Sequence, residues 1–400
     1  MPPGHLPVMR IVLSSLADLT SATADAITTL RTARALSEAG HVVTVLAPRQ
    51  GGGALALEPG AATVVLHPNI RRWHLPNTLN SLVQLCLLGR LVRRTRSRCV
   101  YVRAATFTFL IGLWGRLHRN VMVVSEHHGW TAAERELRGG PRWLAAFERR
   151  CQVWDARLAR RVRTVVPGIR DRLEACGVPA GRVVVVGNAC DTELIVPIER
   201  SRALAAHDLD PDAVYLGFLG SLTGWQGLDD VLAALRLARE EAPALHLLVV
   251  GDGPLRDGLE ARVAAGGLGG KVSFLGRIDH RAVPTALGCF DIALLPTAAG
   301  GYAEIGRAPL KLREYAAAGR VVLAARVPAV ADLADEDWLE LYEPGDVVGL
   351  GQALVRLASA PAALARQGRT ARQYAETHFS WPVIIGRIGR ELGLDAPATS

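Results

Sequence analysis

The sequence predicts an α/β protein of two domains, each a doubly wound, Rossmann-like parallel sheet. Three observations carry this. The chain has 400 residues, half of them hydrophobic, which is ample for two packed cores. Short, β-branched apolar runs alternate with helical stretches, the βαβ pattern of a parallel sheet with helices on both faces. That alternation stops in a polar stretch broken by Pro197 and Pro211, near 188–212, and then restarts.

In the first half, strands are expected at Arg10–Leu13, His41–Leu46, Ala62–Leu66, Val100–Val102, Val121–Val124, Thr164–Val166 and Val183–Val186. Helices are expected over 24–40, closed by Gly40, and over 77–97, 105–117 and 141–162. In the second half, strands are expected at 213–219, 245–250, 271–275, 291–295 and 320–325, and a last helix over Trp381–Leu392. The domains are expected at 1–190 and 191–378. Open parallel sheets bind ligands at the carboxyl ends of their strands. Two such domains facing across a cleft would therefore place the site in the loops that follow strands.

Charge and cysteine usage narrow the class. The net charge is +8, and from Pro59 to Ser125 there are ten arginines and no acid. Such a surface can hold an anionic membrane or an acidic acceptor, and it also suits a plain solvated helix face. No recognition motif or aromatic interleaving supports nucleic acid as a partner. The six cysteines form no CxxC pair, so they read as buried, reduced thiols and the protein as cytoplasmic. No secretory signal and no membrane-spanning run is visible, which leaves at most a peripheral contact of the basic first domain with the inner face of a membrane.

Four loops in the second half carry the chemistry. The first, Gly220-Ser221-Leu222-Thr223-Gly224-Trp225-Gln226-Gly227, follows a strand and opens a helix. Glycines there let backbone approach a ligand, and helix-start N–H groups attract phosphate. Val249-Val250-Gly251-Asp252-Gly253-Pro254 is a second strand-end turn, with Pro254 at the first helical position. Phe274-Leu275-Gly276-Arg277-Ile278 is a third, whose backbone at Arg277-Ile278 can meet a planar base. The fourth is Gly306-Arg307-Ala308-Pro309-Leu310-Lys311-Leu312-Arg313-Glu314-Tyr315-Ala316-Ala317-Ala318-Gly319. Pro309 opens its helix, and Lys311 and Glu314 share one turn. The carboxylate can accept two ribose hydroxyls, and the lysine suits a diphosphate. Any one of these loops alone reads equally as turn chemistry or a surface ion pair.

Taken in order, these motifs resemble the retaining glycosyltransferases of the group 1 family, also numbered family four, which have the GT-B fold. The likeness covers nearly the whole chain and is strongest in the second domain. Asn188-Ala189-Cys190-Asp191 resembles the family's Asn-Gly-Val-Asp at the domain junction. Ser380-Trp381 resembles the tryptophan where the chain crosses back, which assigns 379–400 to the first domain. The resemblance implies a donor site of Gly220, Ser221, Gly251, Gly276, Arg277, Ile278, Arg307, Ala308, Pro309, Leu310 and Glu314. It also implies transfer of a sugar from a nucleotide-diphosphate sugar, a UDP-sugar first and a GDP-sugar next, to an acceptor hydroxyl with retention. The acceptor classes it allows are a glycan, a lipid-linked acceptor or a small molecule.

The chain departs from the family in three places. Glu-x7-Glu lacks its first glutamate, the position being Gly306. The usual Arg and Lys of the Gly220 loop are Ser221 and Gln226, so Lys311 and Arg307 are expected to supply the positive charge. The first βα loop, Ser14–Thr23, lacks the family's glycines.

In the first domain, Ser125-Glu126-His127-His128-Gly129-Trp130 follows a strand. Two histidines at a strand end beside Glu126 read as a site, and the resemblance places His128 toward the donor sugar. The expected catalytic residues are thus His128, His127 and Lys311, with no protein nucleophile. No cofactor is expected and no metal. Asp208-Leu209-Asp210 has the Asp-x-Asp form, but it lies in the linker. The competing readings are a non-catalytic nucleotide-sugar-binding subunit and another GT-B enzyme such as an epimerase or phosphorylase. A dehydrogenase lacks its Gly-x-Gly-x-x-Gly.

Overall fold

The computed structural model describes residues 8–394, except 22, 50–52, 57, 70–75, 138 and 301–309. The chain forms two compact units, one running to Gly187 and resuming at Trp381, the other Asn188–Ser380. The expected boundary residues 190 and 379 fall in the second unit, where Cys190 and Phe379 join the core and are linked by a 2.7 Å hydrogen bond from Cys190 N to Phe379 O.

The first unit holds seven strands: β1 (Arg10–Ser14), β2 (Val42–Arg49), β3 (Thr63–Pro68), β4 (Cys99–Arg103), β5 (Met122–His127), β6 (Arg161–Thr164) and β7 (Val183–Val185). They lie in the order β3-β2-β1-β4-β5-β6-β7, every pairing parallel. The second unit holds β8 (Val214–Leu219), β9 (Leu245–Val250), β10 (Val272–Gly276), β11 (Ile292–Leu295), β12 (Val321–Ala325) and β13 (Leu339–Tyr342). Their order is β10-β9-β8-β11-β12-β13, again all parallel. In both sheets the chain builds outward from its first strand, then returns to that strand's other side. Loops diverge at that reversal, so a crevice opens between β1 and β4, and another between β8 and β11.

Several expectations shift. The strand foreseen at Thr164–Val166 lies three residues earlier, because Arg161 and Arg163 disguise β6 as polar while Arg163 is in fact buried. The edge strand β13, Leu339-Glu340-Leu341-Tyr342, carries no β-branched residue and was not expected. The linker contains a helix, Arg200–Ala205, whose Ala203 and Leu204 join the second core. Pro254 lies in a turn, and the helix after it starts at Arg256. Of the six cysteines, all free, Cys86 is exposed and Cys176 half-buried rather than buried.

Packing follows the period-two alternation of the strands. On one face of the first sheet, Val12, Leu46, Val100, Val102 and Val123 meet Leu88 and Val92 of helix Pro76–Thr95 and Ile111 of helix Phe109–Leu117. A third helix on this face, Arg142–Leu158, crosses closely at Gly112, where a Cβ would stand 2.9 Å from that of Leu158. In the second sheet, Gly217 on β8 exists for the Phe290 ring: a Cβ there would lie 1.9 Å from Cγ of Phe290, itself fully buried. Gly217→Ala is therefore expected to destabilise the second unit by about 1–3 kcal/mol through overpacking, read as a lower urea midpoint at unchanged slope.

Candidate functional site

The second unit's strand-end loops are knitted through main chain. Gly220 N donates to Val250 O (2.8 Å), Gly251 N to Gly276 O (2.8 Å) and Leu222 N to Asp252 O (3.1 Å). This brings three of the four sequence motifs side by side. The approach is so close that a Cβ on Gly251 would stand 2.0 Å from Gly220 O, and both glycines have positive φ, +145° and +135°. Only glycine satisfies both conditions.

The fourth motif enters from the far side of the crevice. Helix Leu310–Ala317 follows β11, and its Lys311 reaches across to the β8 loop. Lys311 Nζ donates to Gln226 Oε1 at 3.0 Å and lies 4.1 Å from the centre of the Phe218 ring. A Cβ on Gly220 would collide with the lysine's end, Cε and Nζ being 2.5 and 2.6 Å away. Tyr315 fixes the same helix, its hydroxyl accepting from Leu219 N (2.9 Å). Glu314 lies one turn from Lys311. Burial pushes its carboxyl above the usual range, and Lys311 pulls it partly back. A half-buried carboxylate held this way is ready to accept hydroxyls.

Ser221 and Arg277 are exposed at this rim, and Ile278 packs partly on the core. Arg307, Ala308 and Pro309 lie outside the described residues, so the second expected cation and the helix start at Pro309 go undescribed. Asp208 and Asp210 are turn residues: Asp208 has φ +51°, and Asp210 Oδ1 accepts from Asp212 N.

In the first unit, adjacent strands put Arg103, Glu126 and Arg163 in register, and hence on one face of the sheet. Arg163 donates to Glu126 Oε1, and Tyr101 OH donates to the same oxygen at 2.9 Å. His128 Nε2 stands 2.9 Å from Oε2. The Arg163 fork also bonds the carbonyls of Val186 (2.9 Å) and Gly187 (2.7 Å). Burial would raise Glu126, but His128 and Arg163 overcome it and hold its carboxyl well below the usual range. Burial and then Arg103 lower His128, against the pull of Glu126. The pair therefore rests as a carboxylate beside a neutral imidazole, with the permanent charge of Arg163 holding the anion. Arg103 continues the row by pairing with Asp25 at 2.6 Å, tying the end of β4 to the helix that follows β1.

His127 points to the opposite face, as neighbours on a strand must. It is wholly enclosed. Gln152 fixes its tautomer: Oε1 of Gln152 accepts from Thr131 N and Oγ1 (3.1 and 2.9 Å), which turns Nε2 to donate to Gly129 O (2.8 Å) and His127 Nδ1 (3.2 Å). The proton of His127 then sits on Nε2, which stands 3.1 Å from Ser125 Oγ and 3.3 Å from Asp155 Oδ2. Ser125 and Thr108 donate to the two oxygens of Asp155. The two histidines thus divide their work. His127 locks the strand end to helix Arg142–Leu158, and His128, with its ring at the surface's edge, is the one a ligand can reach. Arg163, Tyr101, Gln152 and Asp155 escaped the sequence reading. The available signal was a pair of arginines inside a short strand, Arg161-Val162-Arg163.

Arg163→Ala leaves the Glu126 carboxylate buried without its cation and should cost about 3–5 kcal/mol. Because Glu126 is held low, its contribution is full above the unfolded carboxylate range, about pH 4, and is lost as pH falls toward its folded value. As pH falls below about 4, the urea midpoint should drop further in the wild type than in Arg163→Ala.

Comparison with known proteins gives this geometry a family. The family model Glycosyltransferase Family 4 matches residues 26–194, and Glycosyl transferases group 1 matches 213–360. Glycogen synthase of Mycobacterium tuberculosis is 28% identical over 168 residues, 42% of this chain and 39% of its own length. The 2-deoxystreptamine N-acetyl-D-glucosaminyltransferase of Streptomyces fradiae is 30% identical over 220 residues, 53% of this chain and 49% of its own length. The chain thus spans less than half the length of these curated relatives. A crystal structure of Anabaena HepE in complex with UDP shares the fold, with a TM-score of 0.74 at 18% identity, covering 97% of this chain and all of that one. The two family models lie in turn on the two sheets, and the chain belongs to the group 1 glycosyltransferases, Glycosyltransferase Family 4.

Proposed function

We propose that the protein transfers a sugar from a nucleotide-diphosphate sugar, a UDP-sugar first, to an acceptor hydroxyl, with retention and without a metal. One observation carries the reading: Lys311, one turn from Glu314, meets the Gly220 loop, which main-chain hydrogen bonds join to the Gly251 loop and that loop to Gly276, at the switch point of the second sheet. A base would lie along Gly276–Ile278, the ribose hydroxyls on Glu314, and the diphosphate on Lys311 and the N–H groups of the Gly220 loop. HepE, with the same fold, was crystallised with UDP, which favours uridine.

The chemistry asked of this site is charge stabilisation. The bond from the anomeric carbon to the diphosphate breaks, and the leaving oxygens gather negative charge beside Lys311. The acceptor oxygen bonds to that carbon on the same face, and its proton passes to a departing phosphate oxygen. No side chain need act as nucleophile. His128, neutral and fixed by Glu126, is proposed to donate to or accept from a substrate hydroxyl. Burial and Arg103 lower its pKa, which favours the neutral ring.

A thermal-shift panel of UDP, GDP, ADP and dTDP, with and without EDTA, tests this. The right nucleotide at about a hundred times its Kd should stabilise the wild type by ~2.7 kcal/mol, and EDTA should change nothing. A folded protein that none of the four stabilises would overturn this reading. Glu314 gives a second test. Its carboxyl is raised, so ionisation costs the empty protein stability once pH passes the folded value. Glu314→Gln should raise the melting temperature without ligand at neutral pH, while weakening nucleotide binding roughly tenfold to a hundredfold. A variant that binds as the wild type does would remove Glu314 from the site.

A further inference from the structure

Helix Arg142–Leu158 buries its small apolar residues Ala145, Cys151, Val153 and Ala156 together with Glu148, Gln152 and Asp155, and turns its largest aromatics outward: Trp143, Phe147 and Trp154 are exposed, the tryptophans to 72% and 53%. The buried polar groups have reasons: Gln152 and Asp155 hold His127, and Glu148 pairs with Arg135. The outward aromatics have none within the fold, and their apolar area is left in water. Positions 143, 147, 150 and 154 form one helical stripe, in which Arg150 sits between Phe147 and Trp154. The patch continues onto the neighbouring helix Phe109–Leu117. Phe109 meets Trp154 edge-on at 5.6 Å, and Phe107 meets Phe147 at 5.9 Å. Leu113 and Leu117 extend it, Leu117 being 77% exposed.

On these two helices every exposed charge is an arginine. Arg116, Arg142, Arg149, Arg150 and Arg157 are exposed on the two helices, with Arg119 just beyond. The acids of the longer helix, Glu148 and Asp155, are the buried ones, and the shorter helix has none. A merely solvated face would mix acids among its arginines. An acidic protein would need only the arginines; tryptophans and leucines between them need an apolar layer beneath an anionic one. That layering is a bilayer interface, where indole rings sit at headgroup level and arginines snorkel to phosphates. No single helix among the described residues is long and apolar enough to cross a membrane, so the contact is a surface one.

We propose that this face docks on an anionic lipid bilayer, with Trp143, Phe147, Trp154, Leu113 and Leu117 entering the interfacial layer and the flanking arginines on headgroup phosphates. The proposal does not depend on the transfer reaction.

Vesicle co-sedimentation tests it with the full chain, on vesicles of phosphatidylcholine alone and of phosphatidylcholine mixed with phosphatidylglycerol. The wild type should pellet with the mixed vesicles, less so as salt rises. Arg149→Glu/Arg150→Glu should lower the partition coefficient at least fivefold per arginine. Trp143→Ser/Trp154→Ser should lower it about tenfold or more and remove the blue shift of tryptophan emission. These positions are exposed, so an unchanged melting temperature shows that the variants fold. Failure to bind the mixed vesicles, or tryptophan variants that bind them as the wild type does, would overturn the proposal. So would sedimentation velocity showing a lipid-free dimer that the tryptophan variant loses, which would assign the face to a second copy of the chain.

Discussion

Everything proposed for the second domain depends on one close approach of main chain, that of Gly251 to the carbonyl of Gly220. A methyl group there would drive the β8 and β9 loops apart. With glycine at both places, the Gly220 loop hydrogen-bonds the Gly251 loop, and the Gly251 loop hydrogen-bonds Gly276. The sheet order then decides what faces these loops. Because β11 lies beside β8, the helix after β11 starts at the same crevice, and its first turn delivers Lys311 and, one turn on, Glu314. A side chain at 220 would also displace the lysine. Backbone geometry and charge placement are thus a single constraint.

The first domain solves a different problem, holding two adjacent histidines in two states of engagement. Strand alternation sends their rings to opposite faces. On one face, Gln152 dictates the His127 tautomer, and Asp155 anchors the far end of that chain of hydrogen bonds. On the other, the Arg163 guanidinium makes a buried Glu126 tolerable as an anion, and Glu126 in turn orients His128. Most of this apparatus is support, and only its last member is placed to touch a ligand.

What the residues revealed in advance has a physical pattern. The strands that were legible are short apolar runs, and the loops that were legible carry glycine or proline, whose backbone consequences are local. Gln226 and Phe218 as partners of Lys311 were not legible, because their meeting depends on sheet order. The row Arg103–Glu126–Arg163 was hidden because a buried charge in a strand looks like a solvated one until its cross-strand partner is known. Helix Arg142–Leu158 was found as a helix, but its orientation was not, since spacing alone does not say whether an aromatic stripe faces in or out. That orientation is set by the His127 network on the strand it packs against.

The central claim is that Lys311 meets the diphosphate and Glu314 the nucleoside. The most direct measurement is calorimetric titration of UDP and of uridine into the wild type, Lys311→Ala and Glu314→Ala. The account predicts that Lys311→Ala weakens UDP by roughly tenfold or more and leaves uridine unchanged, while Glu314→Ala weakens both. Equal losses for the two ligands in Lys311→Ala, or UDP binding indifferent to Lys311, would contradict it.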